Sequence, residues 1–299
     1  MTARNWTLSR SRSHRCSMPP LLRQRLALLD SLPEQFITRA QAAERAAIRE
    51  LISLLGQLDL KDGKIVNSAS NLATADKIFA ASRKVFDEPY QRAIGGFLQD
   101  VDKIHALNVK YFASQGIDKE FAFIIKHGKE NAIKVLGEGG LAAVTQIRTI
   151  VDIAVTSGTT IPELTRQLKL FGAVSRHAKT FAVDLMTTID RTYTTHIANQ
   201  FGFEWFWYLG GVVKDSRCFC VARHEKFFHR SEVEEWGNRP DLWDGTGQAT
   251  ILGGMCHGGG RNALTNSQTI FNLAGGHNCR HVIVPVSESI VPAEVKARI

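Results

Sequence analysis

The hydrophobic period of this chain changes near Phe201, and that change constrains the fold more than any single motif does. Over residues 33–200 apolar side chains recur three and four positions apart, the spacing that lines them along one face of an α-helix. In PEQFITRAQAAERAAIRELISLLGQLD, Phe36, Ala40, Ala43, Ala47, Leu51, Leu54 and Leu58 make one stripe, and Pro33 suits a first helical turn. The pattern predicts a second helix over 72–86, stopping before Pro89, and a third over 90–112 with Ile94, Phe97, Val101, Ile104 and Tyr111 inward. After the SQG break at 114–116, helices are expected at 119–127, closed by Gly128, and at 141–155. Thr160 reads as the N-cap of a short helix starting near Pro162, and a long helix as spanning 175–199.

Past Phe201 the texture is different. FEWFWYLGGVV is aromatic and β-branched, a strand or hairpin candidate. Glycine clusters, a tryptophan-bearing acidic helix at 230–237 and a final strand-like stretch over 280–286 follow. The expected fold class is α+β, with a mainly α-helical N-terminal two thirds and a small α+β, loop-rich C-terminal module. The expected boundaries are a basic flexible arm over 1–32, a helical domain over 33–160 and the module over 161–299.

Charge is placed unevenly. The net charge is +8, and six arginines with no acid fall before residue 30: Arg4, Arg10, Arg12, Arg15, Arg23 and Arg25. Such an arm can neutralise phosphates, so DNA or another phosphate-bearing partner, or an acidic protein surface, is the expected partner, against the plainer reading of a solvated terminus. No apolar segment has the length of a membrane span or the layout of a secretory signal, so the chain is expected to stay in a cytosol-like compartment. Five cysteines, an odd number, do not read as a secreted disulfide framework.

Four of the cysteines, Cys218, Cys220, Cys256 and Cys279, crowd into the last third beside several histidines. Zinc favours thiolate and imidazole, which makes Cys220, His224, Cys279 and His281 candidate ligands, although the single-residue gap between Cys218 and Cys220 is unlike the usual C-x(2–4)-C pair. A catalytic reading would build a metal-dependent nuclease or hydrolase on Asp215, His224, His277 and His281, but no G-x-S-x-G, H-E-x-x-H or P-loop accompanies them. The third reading is structural. Asp215, Arg217 and Arg223 in one loop and His277, Asn278, Cys279, Arg280 and His281 in another are suited to satisfying backbone groups where two loops cross. On this reading Cys279 and His281 are buried beside Asp215, Arg217 or Cys220, no cofactor is needed, and Cys220 with Cys279 is a pair that could oxidise.

The order DRTYTTHIANQFGFEWFWYLGGVVKDSRCFCVARHEKFFHRSEVEEWG, then GGHNCRHVIVPV, resembles the C-terminal module of the phage Mu protein F-like minor capsid family, the tailed-phage head morphogenesis proteins. The likeness covers residues 161–286 and rests on Asp215, Arg217, Cys220, Arg223, the segment 226–228 and the Asn-Cys-Arg-His ending. One departure is visible: His224 and Glu225 stand where the family has a glycine-lysine turn. The resemblance implies a non-catalytic minor structural protein that meets the portal or major capsid protein. It also implies assembly in a bacterial host cytoplasm and residence in the virion, at the capsid interior or portal vertex.

Overall fold

The computed structural model describes residues 18–171, 173–245, 247, 249–276 and 279–299, with the backbone alone over 173–180. Arg4, Arg10, Arg12, Arg15, His277 and Asn278 lie outside the described residues. In chain order the elements are α1 (Pro20–Leu54), a two-stranded ribbon of β1 (Leu60–Lys61) and β2 (Lys64–Ile65), α2 (Ala69–Ala113), α3 (Ala122–Ser157), α4 (Ile161–Leu170) and α5 (Ala173–Gln200). Then come β3 (Trp205–Leu209), α6 (Cys218–Arg223), β4 (Lys226–His229), α7 (Arg230–Asn238), α8 (Ile270–Leu273), β5 (Val282–Val286) and α9 (Ala293–Lys296). The expected α+β class, helical first and strand-bearing last, is the observed one.

The helices are fewer and longer than punctuation by proline and glycine suggests. α1 begins at Pro20 and carries Pro33 in its interior, because Leu22, Leu29 and Leu32 extend the buried stripe back ahead of Phe36. The expected flexible arm over 1–32 is therefore corrected: from residue 20 onward it is helix. α2 likewise passes through Pro89, which costs roughly 3 kcal/mol in a helix interior. The buried Phe86 and Tyr90, whose rings stack at 4.8 Å on either side of it, offset that cost at about 1.5–3 kcal/mol each.

α3 runs through Gly128 instead of ending there, and the reason is space. A Cβ at Gly128 would stand 2.8 Å from Ile189 Cγ1, and one at Gly140 would stand 2.4 Å from a ring carbon of Tyr90. These glycines admit neighbouring side chains; they do not stop the helix. The start of α4 matches the sequence reading, with Thr160 accepting from the Glu163 amide and Pro162 in the first turn.

The chain forms two compact units, each discontinuous in sequence. The first unit comprises Leu28–His105 and Ala122–Ile189. Its core joins Leu51, Leu55, Ile78, Ile147, Val151, Val155, Leu164 and Leu168, and Tyr90 Oη donates to the Leu136 carbonyl at 2.9 Å. The second unit comprises Ala106–Phe121, Asp190–Ile299 and the described part of Met1–Ala27. The expected division at residue 160 is thus replaced: α4 and the first part of α5 group with the helices, while the end of α2 groups with the strands. Contacts within the second unit explain the latter, since Tyr111 Oη donates to Pro285 O at 3.0 Å and Phe112 meets Phe203 edge-on at 6.3 Å.

In this second unit β3 is the centre of an antiparallel sheet ordered β4-β3-β5. All five residues of β3 and all five of β5 are buried, so neither strand shows the polar alternation of a solvated face. Phe206 and Tyr208 point into a core with Phe219, Val233, Trp236, Trp243, Ile270 and Phe271. Trp207, one residue out of phase with them, stacks on its cross-strand partner Phe227 at 4.6 Å.

Candidate functional site

The site is assembled from four pieces of the strand-bearing unit: the end of β3, the short helix α6, the loop before β5, and the last turns of α5. Tyr208 sits on the buried face of β3, opposite Lys226 in β4 and Ile283 in β5. α6 presents Cys220 to it, with Tyr208 Oη donating to Cys220 Sγ at 3.3 Å. From the loop before β5, Cys279 brings its sulfur 3.9 Å from that of Cys220, and His281 Nδ1 stands 3.8 Å from Cys279 Sγ. All three side chains are buried, and their donor atoms lie within 4.8 Å of one another.

Gly275 explains how the backbone reaches this cluster. Its N–H donates to Cys279 Sγ at 3.3 Å, and a Cβ in its place would lie 2.4 Å from the Cys220 sulfur and 2.9 Å from that of Cys279. A side chain there would have to displace one of the two sulfurs.

The electrostatics divide the two thiols. Hydrogen bonds from Cys220 and His281, with the Arg191 charge nearby, hold Cys279 well below the usual thiol range in spite of its burial. The hydrogen bond to Cys279 and burial push Cys220 well above that range. Tyr208 is raised as well, chiefly by burial and then by the two sulfurs. His224, at the end of α6, is lowered to about 4 by burial and by His281, whose ring centre is 5.9 Å away. It is therefore a neutral imidazole at neutral pH.

The backbone of the Cys-Arg-His corner is held by a residue that the sequence reading missed. Arg191, in the buried face of α5, donates from Nε and Nη2 to the His281 carbonyl at 3.0 and 2.6 Å. It also donates to the Cys279 carbonyl at 2.5 Å and to that of Asn272 at 3.2 Å. One planar guanidinium thus fixes both ends of the corner. The available signal was phase: Asp190, Arg191 and Thr194 share the buried stripe of α5 with Met186, Tyr193 and Ile197.

Placement of the sequence-derived residues is uneven. Arg217 donates to the Gly275 carbonyl at 2.8 Å, linking the two loops. Arg223 is buried across the faces of Phe219 and Trp236, 3.9 and 4.5 Å from the ring centres, and burial lowers it to about 10. Asp215 is exposed in the turn before α6, Arg280 is half-buried, and His277 and Asn278 lie outside the described residues. Glu225 takes φ +56°, the left-handed conformation that glycine adopts most readily.

The pairing of cysteines also differs from expectation. Cys218 and Cys256 form a disulfide with Cα atoms 4.9 Å apart, while Cys220 and Cys279 remain free. The cause is a short backbone ladder: Cys218 N–H donates to His257 O, and His257 N–H to Ser216 O, which sets residues 218 and 256 side by side. The path of the glycine-rich loop that brings Cys256 there is not encoded in cysteine spacing. As for partners, no helix among the described residues is long and apolar enough to cross a membrane.

Arg25, counted in the basic arm, is fully buried. Its Nε and Nη2 reach the two carboxylate oxygens of Asp190 at 2.9 and 2.5 Å, and Asn108 donates to Oδ1 at 2.8 Å. It is therefore not available to DNA, whereas Arg23 is exposed. Compared with protein-family profiles, curated proteins and solved structures, the chain matches none.

Proposed function

We propose that this chain is a minor structural protein of a tailed-phage head, acting without catalysis at the portal or inner capsid. The observation that carries the reading is the crossing of the two motif loops. Arg217 spends a donor on the Gly275 carbonyl, Arg191 spends its donors on the Cys279 and His281 carbonyls, and the thiols of both loops are buried against Tyr208. Groups used in this way lock a loop-rich unit, which is what a component that must survive in a particle needs. The resemblance supplies the biological setting.

The hydrolase alternative needs Asp215 beside the imidazoles, and Asp215 is exposed while His281 is buried. DNA contact through the N-terminal segment remains part of the proposal, carried by Arg4, Arg10, Arg12, Arg15 and Arg23. The test is genetic. Particles assembled without this protein are expected to be non-infectious or to lack DNA; particles of normal DNA content and full infectivity in its absence would end the reading.

A further inference from the structure

Two of the three edges among Cys220, Cys279 and His281 have the lengths that a tetrahedral ion would set. Zinc binds sulfur at about 2.3 Å and imidazole nitrogen at about 2.0–2.1 Å, so tetrahedral angles set two ligand sulfurs about 3.8 Å apart and a sulfur and a nitrogen about 3.6 Å apart. The observed separations are 3.9 Å between the two sulfurs and 3.8 Å from Cys279 Sγ to His281 Nδ1. The third edge is within 4.8 Å. Closing it is a side-chain adjustment of about 1.2 Å at most, whereas joining the sulfurs as a disulfide, about 2.0 Å, would need a movement of about 1.9 Å from a fully packed pair.

A second observation is independent of these distances. Each sulfur accepts a hydrogen bond from a fixed protein donor: Cys220 from Tyr208 Oη and Cys279 from the Gly275 amide. Donors aimed at sulfur are what hold thiolate ligands in orientation. Two thiolates buried together without a cation would be costly, and a divalent ion brings the group to neutrality. The same unit closes Cys218 and Cys256 as a disulfide yet leaves this pair open beside an imidazole.

We propose that Cys220, Cys279 and His281 are three protein ligands of a buried zinc ion that ties α6 to the loop entering β5. The ion fastens the crossing that the functional reading depends on, but the assignment is tested on the isolated chain and does not require a virion. The full-length protein, produced in zinc-supplemented cells and purified without chelator, is expected to carry one zinc per chain by elemental analysis. Exchange with Co²⁺ is expected to give thiolate-to-cobalt charge transfer in the near ultraviolet and the intense visible bands of tetrahedral coordination.

Cys220→Ser and Cys279→Ser are each expected to weaken zinc binding about tenfold or more in competition with a chromophoric chelator. Because these variants can also unfold the unit, His281→Cys is the control. It keeps a donor, so it should retain the metal and raise the charge-transfer intensity about 1.5-fold, from two sulfurs to three. A folded wild-type chain that takes up neither zinc nor cobalt would overturn the proposal. So would full zinc retention in the Cys220→Ser/Cys279→Ser double variant, or a Cys220–Cys279 disulfide found by mass mapping of the freshly purified protein. None of these outcomes touches the infectivity test above, so the two readings fail separately.

Discussion

Arg25 shows how residue identity and residue placement part company. By composition it belongs to an acid-free run of arginines; by helical phase it lies on the stripe Leu22, Arg25, Leu29, Leu32, and all four are buried. A guanidinium there persists only because the Asp190 carboxylate, itself held by the Asn108 amide, meets it. Asp190→Asn removes the compensating charge and is expected to destabilise the strand-bearing unit by about 3–5 kcal/mol. Arg25→Met/Asp190→Leu removes both charges and should recover most of the loss, but not all, since the Asn108 amide is left without its acceptor at about 1–3 kcal/mol. Urea unfolding followed by tryptophan fluorescence reads this unit selectively, because Trp205, Trp207, Trp236 and Trp243 all lie within it. If Asp190→Asn cost less than about 1 kcal/mol, the pair would rank with exposed ion pairs and the argument would fail.

At the scale of elements, the glycines of α3 make a matched experiment. Propensity alone says that Gly→Ala in a helix interior stabilises by about 0.5–1 kcal/mol. Gly137 and Gly139 have nothing within 4 Å of the added Cβ, so Ala at either is expected to stabilise by that amount. Gly140 faces the Tyr90 ring, which is buried and anchored by its hydroxyl to Leu136 O. There the overpacking cost of about 1–3 kcal/mol exceeds the gain, and Gly140→Ala is expected to destabilise. Thermal unfolding by far-ultraviolet circular dichroism separates the three variants, and a stabilising Gly140→Ala would contradict the packing account. The same residues show what the sequence made legible. Periodicity revealed helices, the Thr160 cap, β3 and β5, because each depends on neighbours in the chain. Helix ends at Pro89 and Gly128 were misplaced because tertiary partners, Phe86 with Tyr90 and Ile189, outweigh local punctuation. In the site, Cys220, Cys279 and His281 were visible as residue types. Arg191 and the Cys218–Cys256 pairing were not, since each depends on which distant backbone passes by.

At the scale of the whole molecule, the net charge of +8 must be divided between what folding uses and what remains for a partner. Arg25, Arg191 and Arg223 are engaged by a carboxylate, by carbonyls and by aromatic faces, so the basic total overstates the charge open to any partner. Ahead of Met18 stand Arg4, Arg10, Arg12 and Arg15 with no acid among them, and Arg23 follows on the exposed side of α1. If DNA is the partner of this segment, each neutralised phosphate contributes about −0.9 to the slope of log K against log salt, so five arginines set a slope of roughly −4.5. Fluorescence anisotropy with duplex DNA over a salt series measures it. A variant beginning at Met18 retains the whole of α1 and is expected to fall to a slope of about −1, with binding too weak to follow at physiological salt. Arg25→Met/Asp190→Leu, which removes the buried pair together, should leave the slope unchanged where Arg10→Gln reduces it by about 0.9. Equal affinity of the truncated and full-length chains would remove DNA from the partners of this segment and leave an acidic protein surface as its counterpart.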